Sequence, residues 1–195
     1  MFDLDGTVTA QETLPAIAKH FNVLDEINDL TRQTIEGRIP FVEGFIRRIN
    51  VLKRFSVAEV NHALEDIKLH KMLVEFINSY SSNCRIVTGN LDCWVASLLT
   101  NVSCAAETSK AVVQDDRLES VSSIINKADV VLKYQQVGYQ VVFVGEGNND
   151  AEAIRVADIG VAFGAVHWPS ASVMQVASHA IFDEDELCRF LRQLL

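Results

Sequence analysis

The sequence lacks long apolar runs and an excess of basic residues. No stretch of about 18 consecutive apolar residues occurs, and no basic segment followed by an apolar one stands at the beginning, so a membrane span and a secretory signal are disfavoured. Lys and Arg number 17 against 26 Asp and Glu, for a net charge of -9. Nucleic acids and anionic membranes attract clustered basic residues, so neither is expected as a partner. A small molecule is the expected ligand.

The four cysteines show no spacing typical of a metal or redox site. Cys84, Cys93, Cys104 and Cys188 form no C-x-x-C motif and no His/Cys ligand pattern, so neither a zinc site nor a thioredoxin-like motif is indicated. Scattered cysteines fit a reducing compartment, and a cytoplasmic location is expected. The sequence is compatible with a monomer or a homodimer and does not decide between them.

The first third of the chain has helical periodicity. Apolar residues recur at helical spacing from Glu12 to about Lys68, and Ser56 with Glu59 forms a capping-box pattern. This stretch predicts an all-helical lobe. Ahead of it, Met1 and Phe2 leave almost no strand before Asp3, although strands usually run about five or six residues. Either the natural chain begins upstream of Met1, or this sequence is a trimmed form.

After Met72, short apolar runs alternate with helical patterns. The predicted strands are Arg85–Thr88, Val141–Gly145, Ile159–Phe163 and His179–Phe182, and the predicted helices include Lys127–Val137, Asp150–Ala157 and Asp185–Leu195. Short strands or a hairpin are expected around Lys110–Arg117. The alternation predicts an α/β fold, a parallel sheet with helices on both faces. Because Met1–Asp5 belongs to that sheet, we expect a core domain of residues 1–11 and 72–195, with residues 12–71 as an inserted helical domain.

Polar residues follow the predicted strands, where ligands of open parallel sheets gather. They are Asp3-Leu4-Asp5-Gly6-Thr7, Thr88-Gly89-Asn90 and Gly145-Glu146-Gly147-Asn148-Asn149-Asp150, while Lys127 begins a helix between the last two. Each motif alone is typical of a turn, a helix cap or a solvated lysine. Their succession instead supplies what phosphoryl transfer needs: a nucleophile, an acid/base, a hydroxyl, an ammonium and acidic metal ligands.

The residues suggest a mechanism as a hypothesis. Asp3 would attack phosphorus, because an acyl phosphate is itself labile and divides one difficult hydrolysis into two easier steps. Asp5 would protonate the leaving oxygen and later accept a proton from water. Mg²⁺ and the ammonium of Lys127 would offset the negative charge. Thr88 and nearby backbone N–H groups would hold the phosphoryl oxygens.

These motifs resemble those of the haloacid dehalogenase (HAD) superfamily, and more closely its phosphoserine phosphatases. The matching positions are Asp3, Asp5 and Thr7 for D-x-D-x-T, then Thr88, Lys127 and Gly145–Asp150. The resemblance implies a Rossmann-like HAD core with an inserted helical cap, and a pocket between cap and sheet. It also implies Mg²⁺ held by Asp3, the backbone carbonyl of Asp5 and Glu146; Asp150 is included in the predicted ligand set.

The resemblance further implies a substrate, O-phosphoserine or a similar small phosphorylated metabolite. The substrate-binding positions it indicates are Glu12, Phe41, Arg48, Gly89 and Asn149. Glu12 would receive the substrate ammonium and Arg48 its carboxylate. The alternative is that Glu12 is an acid favoured by a helix N-terminus and Arg48 a surface charge.

Two positions depart from the family pattern. Glu146 stands where Asp is usual, and Asn90 replaces a typical glycine, which places a side chain beside the expected phosphate. The loop containing His167 and Trp168 is expected near the site, where these residues could touch substrate, although packing of the loop on the core is favoured. Two other functions remain open: phosphoryl transfer to an acceptor alcohol, and non-catalytic binding of a phospho-ligand or a protein.

Overall fold

The computed structural model describes residues 1–35 and 38–195, with all of their side chains except those of Ile35 and Phe41. In these ranges helices come first, and strands then alternate with helices. The helices are α1 Thr13–His20, α2 Leu24–Ile35, α3 Phe41–Leu52, α4 Val57–Ala63, α5 Lys71–Ser79, α6 Asp92–Leu99, α7 Lys127–Gln136, α8 Ala151–Val156, α9 Ala171–Val176 and α10 Glu184–Arg192. The strands are β1 Arg85–Leu91, β2 Ala105–Gln114, β3 Arg117–Ser123, β4 Val142–Gly145, β5 Ile159–Phe163 and β6 His179–Ile181.

Phe2 occupies the centre of a mostly parallel sheet. It forms parallel bridges with Ile86 of β1 and with Val144 of β4, and thereby joins two sets of strands. On one side β1 pairs in parallel with β2, and on the other β4, β5 and β6 pair in parallel. The predicted strand Met1–Asp5 is thus reduced to bridges at Phe2, because the chain turns directly after Asp3.

Both faces of the sheet are buried. Ile86 and Val144 belong to one hydrophobic cluster, whereas their chain neighbours Val87 and Phe143 belong to another. Because successive strand side chains point to opposite faces, each face carries its own apolar layer. Side chains of α5, α6 and α10 pack in the first cluster, and those of α7, α8 and α9 pack in the second. The predicted fold class is therefore confirmed.

Helices α1 to α4 lie where the helical lobe was predicted. The Ser56–Glu59 capping box is present at the start of α4. The chain enters and leaves this segment at one place, because Thr9 pairs with Leu69 and the amide of His70 donates to the carbonyl of Val8 at 3.0 Å. The division into a core domain and an inserted domain of residues 12–71 stays a prediction.

A β-hairpin projects from the sheet. Strand β3 pairs antiparallel with β2, and the two-residue turn Asp115-Asp116 has positive φ at both positions, as a type I′ turn requires. The hairpin is longer than the predicted Lys110–Arg117 region. Its tip contacts the start of α4, since Asp116 accepts the backbone N–H groups of Val57 at 2.8 Å and Ala58 at 3.0 Å.

None of the helices in the described ranges has both the length and the apolar character that a membrane crossing requires. The four cysteines are free thiols.

Candidate active site

Three charged groups from distant parts of the chain meet at the carboxyl edge of the sheet. Asp3 follows the central Phe2, Lys127 begins α7, and Asp150 directly precedes α8. The Nζ atom of Lys127 lies 2.5 Å from Oδ1 of Asp3 and 2.6 Å from Oδ1 of Asp150. All three side chains are at least 94% buried, since their exposed fractions are 3%, 6% and 0%. The sequence separately predicted these residues, and the structure brings them together.

The cluster carries two carboxylates for one ammonium. Burial raises the pKa of Asp3 well above its ordinary value, and repulsion from Asp150 acts in the same direction, while Lys127 lowers it. Burial opposes the charge of Lys127 as well, yet the carboxylates of Asp150 and Asp3 raise its pKa above the ordinary value. Lys127 therefore stays an ammonium beside a pair of acids that repel each other.

Asp150 organises the loop that follows β4. Its Oδ2 accepts the backbone N–H groups of Glu146 at 3.1 Å and Gly147 at 2.9 Å, while Oδ1 faces Lys127. A Cβ at Gly145 would lie 2.7 Å from the carboxyl carbon of Asp150, so only glycine leaves room for this arrangement. Both oxygens of Asp150 thus already have partners, and its role as a metal ligand remains a prediction.

Asp5 contacts the first helix and the second motif. Its Oδ1 accepts the backbone N–H of Thr13 at 3.1 Å and also the Thr13 hydroxyl. Its Oδ2 lies 3.4 Å from the hydroxyl of Thr88, which in turn accepts the backbone N–H of Asn90 at 3.1 Å. Thr88 is fully buried. The structure shows Thr88 in contact with Asp5. Its contact with a phosphoryl group remains a prediction.

Glu12 and Glu146 approach each other beside Gly6. Each carboxyl is close enough to affect the pKa of the other. Gly6 has a φ of 69°, a backbone conformation that residues with a side chain rarely adopt. A Cβ at this position would also lie 3.0 Å from Oε1 of Glu146 and 3.1 Å from Oε1 of Glu12. Both the backbone conformation and the lack of space therefore favour glycine. Burial, followed by repulsion from neighbouring acids, raises the pKa of each carboxyl above its ordinary value.

A cavity of about 470 Å³ opens above these groups, between the helical segment and the sheet edge. Seven predicted site residues line it: Asp3, Asp5, Glu12, Arg48, Gly89, Glu146 and Asn149. Thr88, Lys127 and Asp150 do not line it but contact the lining residues. The predicted contact of Phe41 falls on a side chain outside the described part of the structure.

Arg48 reaches the cavity from α3. Its Nε donates to the carbonyl of Gly44 at 3.1 Å, and Nη1 lies 3.5 Å from the hydroxyl of Thr31. Burial lowers the pKa of the Arg48 guanidinium, while the Glu12 carboxylate acts in the opposite direction. Arg48 is therefore partly buried at the cavity and near an acid. Its neighbour Arg47 instead pairs with Glu43 at the surface, at 2.5 Å.

Sequence reasoning placed the loop of Trp168 near the site but favoured packing on the core over contact with the cavity. Trp168 lines the cavity and is 75% exposed, with its ring stacked on Phe182 at 4.9 Å between centroids. The expectation that this loop packs on the core was therefore wrong for Trp168. The loop is tied to the acidic loop, because the backbone N–H of Ser170 donates to the carbonyl of Glu146 at 2.9 Å. No local signal in the sequence indicated this pairing.

The oxygen groups at the cavity fit the ligand chemistry of Mg²⁺. Asp3 and Glu146 offer carboxylates and Asp5 a backbone carbonyl, all oxygen donors of the kind Mg²⁺ prefers, and acids outnumber bases here. Within the described residues, no three acidic, His or Cys side chains already form a metal-binding group. Asp3 instead contacts Lys127, and Glu146 contacts Glu12.

No family model matches the chain. Phosphoserine phosphatases are nevertheless similar in sequence. The one from Methanocaldococcus jannaschii is 24% identical over 178 residues, which cover 85% of this chain and 84% of that protein. The one from Archaeoglobus fulgidus is 26% identical over 178 residues, which cover 85% of this chain but 52% of that protein. The chain thus spans only about half the length of the second relative.

Solved structures are similar in fold. A HAD family hydrolase from Salmonella enterica serovar Typhi has a TM-score of 0.80 at 24% identity, covering 92% of this chain and 65% of that one. A phosphoserine phosphatase with an analogue of its phospho-aspartyl intermediate has a TM-score of 0.79 at 21% identity, covering 97% and 96%. These structural likenesses confirm the Rossmann-like fold, and the two sequence relatives confirm the resemblance to phosphoserine phosphatases.

Proposed function

We propose that this chain, which resembles the phosphoserine phosphatases of the HAD superfamily in sequence and fold, is a phosphatase acting on small phosphate monoesters. The observation that carries the proposal is the buried group of Asp3, Lys127 and Asp150 beneath an acid-lined cavity. A buried ion group of this kind contributes little net stability compared with apolar residues. Its position at a cavity therefore indicates chemistry rather than packing.

Asp3 is the proposed nucleophile. An oxygen of its carboxylate forms a bond to phosphorus as the bond from phosphorus to the leaving oxygen breaks, giving an aspartyl phosphate. Water then attacks phosphorus, the bond to Asp3 breaks, and inorganic phosphate leaves. Lys127 lies 2.5 Å from Asp3 and supplies positive charge where the phosphate dianion approaches two acids.

Asp5 is the proposed general acid and base. In its protonated form it gives a proton to the leaving oxygen, and the resulting carboxylate later takes a proton from the attacking water. The two transfers restore the starting state. The position of Asp5 on the cavity wall, two residues after Asp3, supports this role.

Mg²⁺ is the proposed cofactor, held by Asp3, Glu146 and the backbone carbonyl of Asp5. When bound, it supplies positive charge to the phosphoryl oxygens. Asp150 holds Lys127 and the loop through three hydrogen bonds, and since a carboxylate can accept about four, we include it in the proposed ligand set.

Metal removal tests the cofactor. Chelation is expected to abolish hydrolysis of p-nitrophenyl phosphate, and added Mg²⁺ is expected to restore it. Because a ligand that binds only the folded state stabilises it, Mg²⁺ should also raise the Tm of the wild type, and less so that of Glu146→Gln. Activity that survives chelation, with no shift of Tm, would contradict a magnesium site at these residues.

We further propose an amino-acid phosphate, O-phosphoserine, as the substrate. Arg48 would bind the substrate carboxylate through its guanidinium, and Glu12 would bind the ammonium. Both residues line the cavity together with Asp3. The names of the two sequence relatives are consistent with this assignment.

Arg48→Ala tests the substrate. A screen of phosphoserine, phosphothreonine and phosphates without an amino-acid group is expected to favour phosphoserine. Losing a charge-assisted contact worth roughly 1.5–3 kcal/mol should raise KM for phosphoserine by about 10- to 100-fold. Phosphates that lack a carboxylate should be much less affected.

Arg47→Ala is the matched control, since Arg47 is the adjacent residue of the same helix and pairs with Glu43 at the surface. It is expected to leave KM unchanged. If phosphoserine is no better than the other phosphates, or both substitutions have the same effect, the proposed substrate is wrong. If no phosphate is hydrolysed under any metal condition, the chain is a binding protein instead.

A further inference from the structure

Three side chains from separate parts of the chain form a hydrogen-bonded series at the cavity wall, where Asp5 and Asn90 line the cavity and Thr13 lies between them. The Nδ2 atom of Asn90 donates to the hydroxyl of Thr13 at 2.7 Å, and that hydroxyl contacts Oδ1 of Asp5. Asn90 is 5% exposed and Thr13 is fully buried. The series therefore links the end of β1, the start of α1 and the first motif.

Donor and acceptor chemistry gives this series one direction. The Oδ1 atom of Asn90 accepts the backbone N–H of Leu91 at 2.9 Å, and a backbone N–H can only donate. The amide orientation of Asn90 is thereby determined, and its NH₂ group faces Thr13. Because the Thr13 hydroxyl accepts from Asn90, its own hydrogen is directed at Asp5.

Asp5 is consequently held through one of its two oxygens. Oδ1 accepts both the backbone N–H and the hydroxyl of Thr13. Among the residues that the structure describes, Oδ2 has only the 3.4 Å contact with the Thr88 hydroxyl, which is too long to be a strong hydrogen bond. Asp5 lines the cavity, so its less restrained oxygen is available to exchange a proton.

We propose that Asn90 is a positioning residue for the reaction: through Thr13 it orients the carboxylate of Asp5 for proton transfer. This inference rests on the proposed phosphatase function. It assigns Asn90 no contact with the reacting atoms. The effect of Asn90 on catalysis depends on the hydroxyl of Thr13, and this dependence distinguishes a positioning role of Asn90 from a purely structural one.

The test separates the two chemical steps. The leaving p-nitrophenolate needs no proton, so formation of the aspartyl phosphate from p-nitrophenyl phosphate depends little on Asp5, whereas the attack of water needs it as a base. In Asn90→Ala, kcat is expected to fall about tenfold, since general acid–base catalysis contributes roughly 10²- to 10⁴-fold. Because only the second step is slowed, KM should fall with kcat, and kcat/KM should stay within about twofold of the wild type. Acid quenching with ³²P-labelled substrate should then trap more phosphorylated enzyme than in the wild type.

A double-substitution cycle tests the route through Thr13. Thr13→Val should lower kcat and raise the phosphorylated fraction, and adding Asn90→Ala to it should change neither further. Thr13→Ser, which keeps the hydroxyl, should stay within about twofold of the wild type, because the donor to Asp5 is retained. Additive effects of the two substitutions would overturn the proposal.

Asn61→Ala is the structural control. Asn61 donates to the carbonyls of Val57 and Cys93 and accepts the N–H of Ser97, and it does not line the cavity. It should lower Tm without raising the phosphorylated fraction. Asn90→Asp, nearly isosteric with the wild type, guards against a failure of Asn90→Ala to fold. Its carboxylate would compete with Asp5 for the hydrogen of Thr13 and should also trap more phosphorylated enzyme.

The inference and the function on which it rests fail differently. A wild type that neither turns over nor becomes phosphorylated refutes both. A wild type that turns over through a phosphorylated enzyme, with Asn90→Ala and Asn90→Asp showing an unchanged phosphorylated fraction, refutes the role of Asn90 alone.

Discussion

Replacing Asp3 with Asn is expected to lower kcat for phosphate monoesters by a factor on the order of 10⁴ or more, because the amide oxygen is a poor nucleophile. No phosphorylated enzyme should accumulate. Steady-state turnover of p-nitrophenyl phosphate and acid quenching with labelled substrate measure the two effects. Hydrolysis unaffected by the substitution would remove Asp3 as the nucleophile.

The fold of Asp3→Asn should survive. Burial and repulsion from Asp150 already oppose the negative charge of Asp3, so a neutral side chain of the same size relieves both. Lys127 keeps its contact with Asp150 at 2.6 Å. Asp158→Asn is a matched control, since Asp158 accepts the backbone N–H of Val141 at 2.8 Å and does not line the cavity. It should retain activity, so a loss in both variants would indicate a general effect of the exchange.

Replacing Lys127 with Met is expected to lower the free energy of unfolding by about 3–5 kcal/mol, which is the usual cost of removing one partner of a buried ion pair. Asp3 and Asp150 would then face each other without the ammonium that contacts both. Activity should fall as well, because that charge also offsets the phosphate. Denaturant unfolding measures the first effect, and kcat measures the second.

A double-substitution cycle identifies the cause of the destabilisation. Asp150→Asn removes one carboxylate but keeps an oxygen that can accept the N–H groups of Glu146 and Gly147. Lys127→Met with Asp150→Asn should therefore be less destabilised than the two single losses predict together. If the losses of unfolding free energy in the two single variants simply add in the double variant, the destabilisation comes from packing rather than from the unpaired charge.

Lys110→Met provides the surface comparison. Lys110 lies 3.4 Å from Asp92, but its side chain is 53% exposed. The same substitution should change the free energy of unfolding there by less than about 1 kcal/mol, as exposed ion pairs do. A comparable loss at both lysines would contradict the buried-charge explanation.

The bounds of one strand and the start of one helix could be predicted because each depends on residues that are close in sequence. Ile159–Phe163 is an apolar run followed by a break, and the structure has a strand with the same bounds. Ser56 and Glu59 form their capping box within one helical turn. The strand Met1–Asp5 was overextended, because pairing partners, not the residues themselves, decide where a strand ends. The hairpin is longer than the predicted region Lys110–Arg117 because β2 and β3 continue to pair with each other beyond it.

By itself, the sequence determined the α/β class and the edge where the polar motifs meet. Periodicity is a property of neighbouring residues, and parallel strands bring their carboxyl ends to one edge. Only the tertiary structure decided which of these groups touch. Lys127 lies between two acids, Asn90 reaches Thr13 across 77 positions of the chain, and Trp168 faces the cavity. Such contacts depend on how segments distant in sequence pack together, and the local spacing of residue types does not predict them.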